Sequence, residues 1–85
     1  MTQPHTHASH PKIAARLKRA DGHLRSVIEM IDQGRPCVEL AQQLQAVESA
    51  IRNAKQALIH DHLDHCLGDE TSAAVVELKA ITRYL

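Results

Sequence analysis

From Pro36 to about Leu67 the chain holds no internal Gly or Pro. Within that stretch Leu40, Leu44, Val47, Ile51, Ala54 and Leu58 recur at spacings of 4-3-4-3-4. Such a stripe is the seam of a helix that packs lengthwise on another. At 1.5 Å per residue the helix would be roughly 50 Å long. A chain of 85 residues with one aromatic side chain, Tyr84, cannot enclose a rod of that length. Its core must come from Leu, Ile, Val, Ala and Met, and part of the rod must find cover elsewhere.

The flanking segments fit the same plan. Residues 1–9 show no periodicity and read as a flexible His-containing arm. Ser9 offers a capping hydroxyl, and Pro11 follows in the first turn, where a missing N–H costs nothing. Ile13, Leu17, Ala20, Leu24, Val27 and Ile31 then repeat the 4-3-4-3-4 stripe, and Gly34 and Pro36 close this first helix. Gly68 stops the long helix, Asp69-Glu70-Thr71 make an acidic turn, and Thr71 or Ser72 can cap a third helix with Val75, Leu78, Ile81 and Leu85 on its apolar face. No segment alternates with period two. Residues 10–85 are therefore expected to form one all-α, three-helix domain, its two long helices in an antiparallel hairpin. The outer flank of the long helix (Val38, Ala41, Ile59) would stay open, and dimerisation into a four-helix bundle is the simplest way to close it.

Ten basic and ten acidic residues cancel, which excludes a uniformly basic protein but not a basic patch. No apolar run approaches a membrane span, so the expectation is a cytoplasmic protein that does not engage a membrane.

Seven His and two Cys stand out in so short a chain. On the long helix His62 and Cys66 are i, i+4 neighbours, and one metal ion can take both. Cys37 lies 25 positions before His62, roughly 37 Å along an unbroken helix. It cannot share an ion with them in its own chain, but it can across an antiparallel dimer. The same distance and the compartment argue against an internal disulfide. The plain alternative is a buried thiol at Cys37 and a solvated charged face made by His60 with Asp64 and Asp61 with His65. Catalysis has no support, because no orienting third group or oxyanion donor accompanies the Cys/His pair.

Four segments carry a family resemblance over Pro11 to Leu85. They are Arg16-Leu-Lys-Arg-Ala-Asp-Gly22-His23, Cys37, Gln43-Leu-Gln-Ala-Val47 and His62-Leu-Asp-His-Cys66. With them the chain resembles the copper-sensitive operon repressors, a family of small bacterial metal-sensing repressors. The resemblance implies a three-helix protomer, an antiparallel four-helix-bundle dimer and a flat, disc-like homotetramer. It also implies a non-enzymatic repressor whose apo form binds operator double-stranded DNA and whose metal form releases it. Carried onto this chain, the ligands are Cys37 of one protomer with His62 and Cys66 of the other, one metal per protomer. Glu77 falls where a family carboxylate hydrogen-bonds the ligand His, and Pro36 replaces a Tyr common in copper sensors.

Ligand number then separates the metals. Two thiolates and one imidazole suit Cu(I), and a fourth nitrogen makes a square-planar site for Ni(II). His5 stands where nickel and cobalt sensors of the family carry an N-terminal His, with His7 or His10 as substitutes on the arm. The balance tips slightly to Ni(II). Thr2 after Met1 argues against the family's formaldehyde sensors, and His62 argues against its persulfide sensors. The family also turns a charge pattern into a DNA contact set. The first 35 residues hold six Lys/Arg against three acids, while Asp61 to Glu70 hold four acids and no Lys/Arg. Arg16, Lys18, Arg19, Arg52 and Lys55 become the phosphate contacts, although Asp21 stands where relatives usually carry Arg. The alternative of another class is a helical association or metal-buffering protein without DNA binding.

Overall fold

A computed structural model of the chain describes residues 9–66 and 72–85. It contains three helices, α1 (His10–Asp32), α2 (Cys37–Cys66) and α3 (Ser72–Thr82), and no strand among the described residues. The helix boundaries follow the local chemistry. Pro11 sits in the first turn of α1, where no N–H is missed. Ser9 does not cap as expected. Its backbone is helical and its side chain makes no cap hydrogen bond, while its carbonyl accepts from the Ile13 N–H at 3.0 Å. A helical φ/ψ at the cap turns the hydroxyl away from the orphan N–H groups it would have served.

Gly34 ends α1 in the left-handed region, at φ 72°. From there the Gly34 N–H donates to Ile31 O at 3.0 Å and the Arg35 N–H to Met30 O at 3.1 Å. This paired closure satisfies carbonyls the helix end leaves open, and only a residue without Cβ adopts that φ cheaply. The Pro36 carbonyl then accepts from Leu40 N–H at 3.1 Å and opens α2. Glu39 in its first turn favours the positive helix end and pairs with Arg35. The expected acidic turn and third-helix cap at 68–72 lie outside the described residues or side chains.

α1 and α2 form the expected antiparallel hairpin, and α3 packs on α2. The molecule measures 54 × 24 × 19 Å, two helices thick and one long helix tall. Each stripe splits in two. Ile13, Ala20 and Val27 of α1 and Val47 and Ala54 of α2 are buried in the hairpin. The alternate members, Leu17, Leu24, Ile31, Leu44, Ile51 and Leu58, are 37–53% exposed. Burying one such side chain is worth about 1.5–3 kcal/mol, so the exposed ridge holds much unspent apolar free energy.

The flank expected to stay open does so only in part. Val38 is 72% exposed, but Ile59 is 2% exposed. Ile59 lies one turn before His62, whose ring meets Glu77 of α3, so this end of α2 is covered within the chain. α3 itself contributes no buried residue among those described. Leu78 and Ile81 are half-buried, and Val75 and Leu85 are exposed.

Candidate functional site

The ligand-type residues occupy opposite ends of α2. Cys37, the first residue of the helix, is an exposed free thiol. His62 lies 25 residues on, in the last two turns, and is 7% exposed. Its Nε2 is 3.6 Å from Oε1 of Glu77. That exceeds hydrogen-bond length but keeps the carboxylate beside the ring. Cys66 is the last residue of α2, one helical turn after His62, and its side chain lies outside the description. His5 and His7 also lie outside the described residues, while His10 opens α1. Among the described residues of one chain, no three His, Cys, Asp or Glu side chains converge on a point. The donor chemistry suits a soft transition metal, but one chain does not assemble the set.

At the Cys37 end, Glu39 raises the Arg35 pKa above its ordinary value, first by its hydrogen bond and then by its charge. The pair is solvent-exposed and lies within one turn of the thiol.

The basic residues divide into two groups. Arg16 and Arg19 line a groove of about 400 Å³ between α1 and α2, with Ala20, His23, Ala50 and Asn53. Arg52 instead lines a separate depression on α2 with Leu44 and Glu48, and its Nη2 donates to Glu48 Oε1 at 3.0 Å. Lys18 and Lys55 are exposed on their helices. All five are exposed on α1 and α2.

Two features escaped the sequence reading. The His23 ring and Gln43 meet across the hairpin, Nε2 to Oε1 at 2.6 Å. Asn53 lines the same groove as Arg16 and Arg19. Both depend on the register between antiparallel helices. The only advance signal was that His23 lies seven positions after Arg16 and four after Arg19, on the same helical face.

With that geometry in hand, comparison with known proteins is informative. A family model described as "metal-sensitive transcriptional repressor" matches residues 9–84. The copper-sensing transcriptional repressor CsoR of Bacillus subtilis is 38% identical over 58 residues, 68% of this chain and 57% of that protein. The copper-sensing CsoR of Mycobacterium ulcerans is 40% identical over 62 residues, 73% of this chain and 50% of that protein. The chain thus spans little more than half the length of these curated relatives. Among solved structures, the nickel-responsive transcriptional regulator InrS superposes with a TM-score of 0.81 at 30% identity, covering 98% of this chain and 100% of that one.

Proposed function

This chain belongs to the metal-sensitive transcriptional repressor family, and from that premise we propose that it is an operator-binding repressor released from DNA by a transition metal. The family consists of transcriptional repressors and not enzymes. No helix among the described residues is long and apolar enough to cross a membrane.

The carrying observation is the separation of donors along α2: an exposed thiol at one end, and a buried imidazole beside Glu77 at the other. A second, antiparallel copy brings Cys37 beside the partner's end of α2 and completes a Cys37, His62, Cys66 set twice per dimer. The exposed ridge of Leu17, Leu24, Ile31, Leu44, Ile51 and Leu58 supports that dimer, because it runs along the hairpin and is only partly covered by the described residues of one chain. Pairing of dimers into a tetramer is the further assembly.

When bound, the metal supplies a charge and a fixed coordination geometry at the joint between protomers. The chain's own residues do the rest. Glu77, whose Oε1 stands 3.6 Å from Nε2, would orient the His62 ring and couple it to α3. The state that favours metal is then the state with lower DNA affinity, and the coupling is reciprocal.

Ni(II) is favoured over Cu(I). His5 adds a fourth donor, and InrS, covered end to end by this chain, is nickel-responsive. Cu(I) in a trigonal site is the second reading, favoured by the copper-sensing relatives.

The test is fluorescence anisotropy on genomic DNA fragments selected with apo protein, under reducing, anaerobic conditions. Salt-sensitive apo binding, reversed by one Ni(II) per protomer, is expected. Absence of apo binding overturns the repressor reading, and release by Cu(I) but not Ni(II) moves the site to the trigonal form.

A further inference from the structure

The covered seam of the hairpin ends in polar side chains. On α1 the shielded positions begin at His10 and continue through Ile13 and Ala20, and on α2 they run from Ala50 through Ala54 and Ala57 to Asp61. We infer that His10 and Asp61 meet across the open end of the hairpin as a latch, and that Asp61 is a positioning residue through which the turn bearing His62 holds the start of α1. The latch stands on geometry alone, and its part in regulation rests on the repressor reading.

Register brings the two side chains together. Ala20 and Ala50 line one groove and so mark turns that face each other. His10 lies ten residues before Ala20, and Asp61 eleven after Ala50. Those steps are roughly 15 and 16 Å in the same direction along antiparallel helices. Both residues are half-buried, whereas Pro11, Lys12 and His60 beside them are exposed.

Burial then selects the chemistry. Nε2 of His10, Oδ2 of Asp61 and the Ser9 hydroxyl oxygen are shut off from solvent and make no hydrogen bond. Yet neither His10 nor Asp61 is without a partner, which leaves Nδ1 of His10 and Oδ1 of Asp61 to make the contact. An acid carried inward at the end of an apolar seam costs free energy unless a donor answers it. The imidazole N–H of His10 is the donor that the register supplies.

The position of the latch gives it a use. Adjacent residues on a helix diverge by about 100°, so Asp61 is turned to α1 while His62 is turned to Glu77 of α3. One turn of α2 thus grips both other helices. Arg16 and Arg19, the expected DNA contacts, follow His10 by six and nine residues on the same helix. A metal that shifts the His62 turn moves the start of α1 with it.

Two measurements on the full-length chain test this. The first reads the His10 ring nitrogens by NMR in wild type, Asp61→Asn and His65→Gln. The signals should move in Asp61→Asn and hold in His65→Gln. Urea unfolding of His10→Gln, Asp61→Asn and the double variant accompanies it. The double variant's midpoint shift should fall short of the sum of the single shifts, because either change breaks the same contact. The second measurement compares the DNA affinity of apo and Ni(II)-loaded protein by anisotropy, with Ni(II) affinity read by chelator competition. Asp61→Asn should leave Ni(II) affinity unaltered, while the loss of DNA affinity on Ni(II) binding, about 5–150-fold for a typical coupling, shrinks several-fold.

Additive midpoint shifts with an unmoved His10 ring assign Asp61 to the charged face with His65 and overturn the latch, and the repressor reading stands. Ni(II) affinity lost in His10→Gln but kept in Asp61→Asn makes His10 a ligand and also overturns the latch. Undiminished release of DNA from Asp61→Asn overturns the positioning role. If wild type binds no DNA, the repressor reading falls, and the ring and unfolding results still decide the latch.

Discussion

The α1–α2 hairpin and the α2–α3 corner are held by different means. In the hairpin, both helices bury apolar side chains: Ile13, Ala20 and Val27 from one, Val47 and Ala54 from the other. At the corner, α2 buries Ile59 and His62, but α3 buries nothing of its own among the described residues. Its named link is a carboxylate 3.6 Å from an imidazole. The hairpin's register is therefore fixed by shape and apolar area, while the position of α3 depends on a polar contact and on partial cover. An element held this weakly can be shifted by a ligand at modest free-energy cost. In the proposed sensor, that is a useful place for His62 as a ligand.

The strongest attempt to break this contrast is at Ile59. Ile59→Ala should destabilise the protein by about 2–5 kcal/mol, the usual range for truncating a buried Ile. Urea unfolding followed by circular dichroism measures it. A loss below about 1 kcal/mol would mean that the corner gives Ile59 no real cover, and that α3 is held by even less than its contacts indicate.

Glu77→Ala sharpens the other side of the comparison. Glu77 is 58% exposed, so its removal should change folding stability by no more than about 0.5 kcal/mol. Metal affinity should nonetheless fall by about 10–100-fold, because the proposed role of the carboxylate is to orient the ligand ring. Competition against a chelator of known strength reads the change. Unaltered metal affinity would show that His62 needs no help from α3, and the proposed coupling route would fail with it.

The two regions also differed in how far the sequence disclosed them. The hairpin was legible because Gly34, Pro36 and two 4-3-4-3-4 stripes specify two helices and a sharp turn. Which half of each stripe turns inward was not, since Leu17 and Leu24 are chemically as fit for a core as Ile13 and Val27. The answer depends on rotation about the helix axis, which periodicity alone leaves open. Ile59 was misplaced for a related reason. Its burial depends on how the other helices pack around the end of α2, which a face assigned from α2 alone does not contain. Ser9 has a capping side chain but a backbone in the wrong region to use it. Among the site residues, the i, i+4 spacing of His62 and Cys66 was visible at once, as was the distance that excludes Cys37 from the same chain. The His23–Gln43 link was not, because it requires knowing which turn of α1 lies against which turn of α2.

The smallest effect expected is at Gly22, inside α1 and on the hairpin side of the comparison. A Cβ built there meets nothing within 4 Å, and a Gly in a helix interior costs about 0.5–1 kcal/mol relative to Ala. Nothing among the described residues requires that cost. Gly22→Ala should accordingly raise stability by about 0.5–1 kcal/mol in urea unfolding without DNA. Gly22 lies between the groove residues Arg19 and His23 along the helix, so the same substitution is a probe of how closely DNA approaches α1. A stability gain with weaker DNA affinity would mean that the missing side chain makes room for the duplex. A gain with unchanged affinity would place the DNA farther from the α1 backbone, with contact made through the long arginine side chains. No gain would mean that a second copy already occupies the space beside Gly22, and the hairpin surface there would then belong to the oligomer.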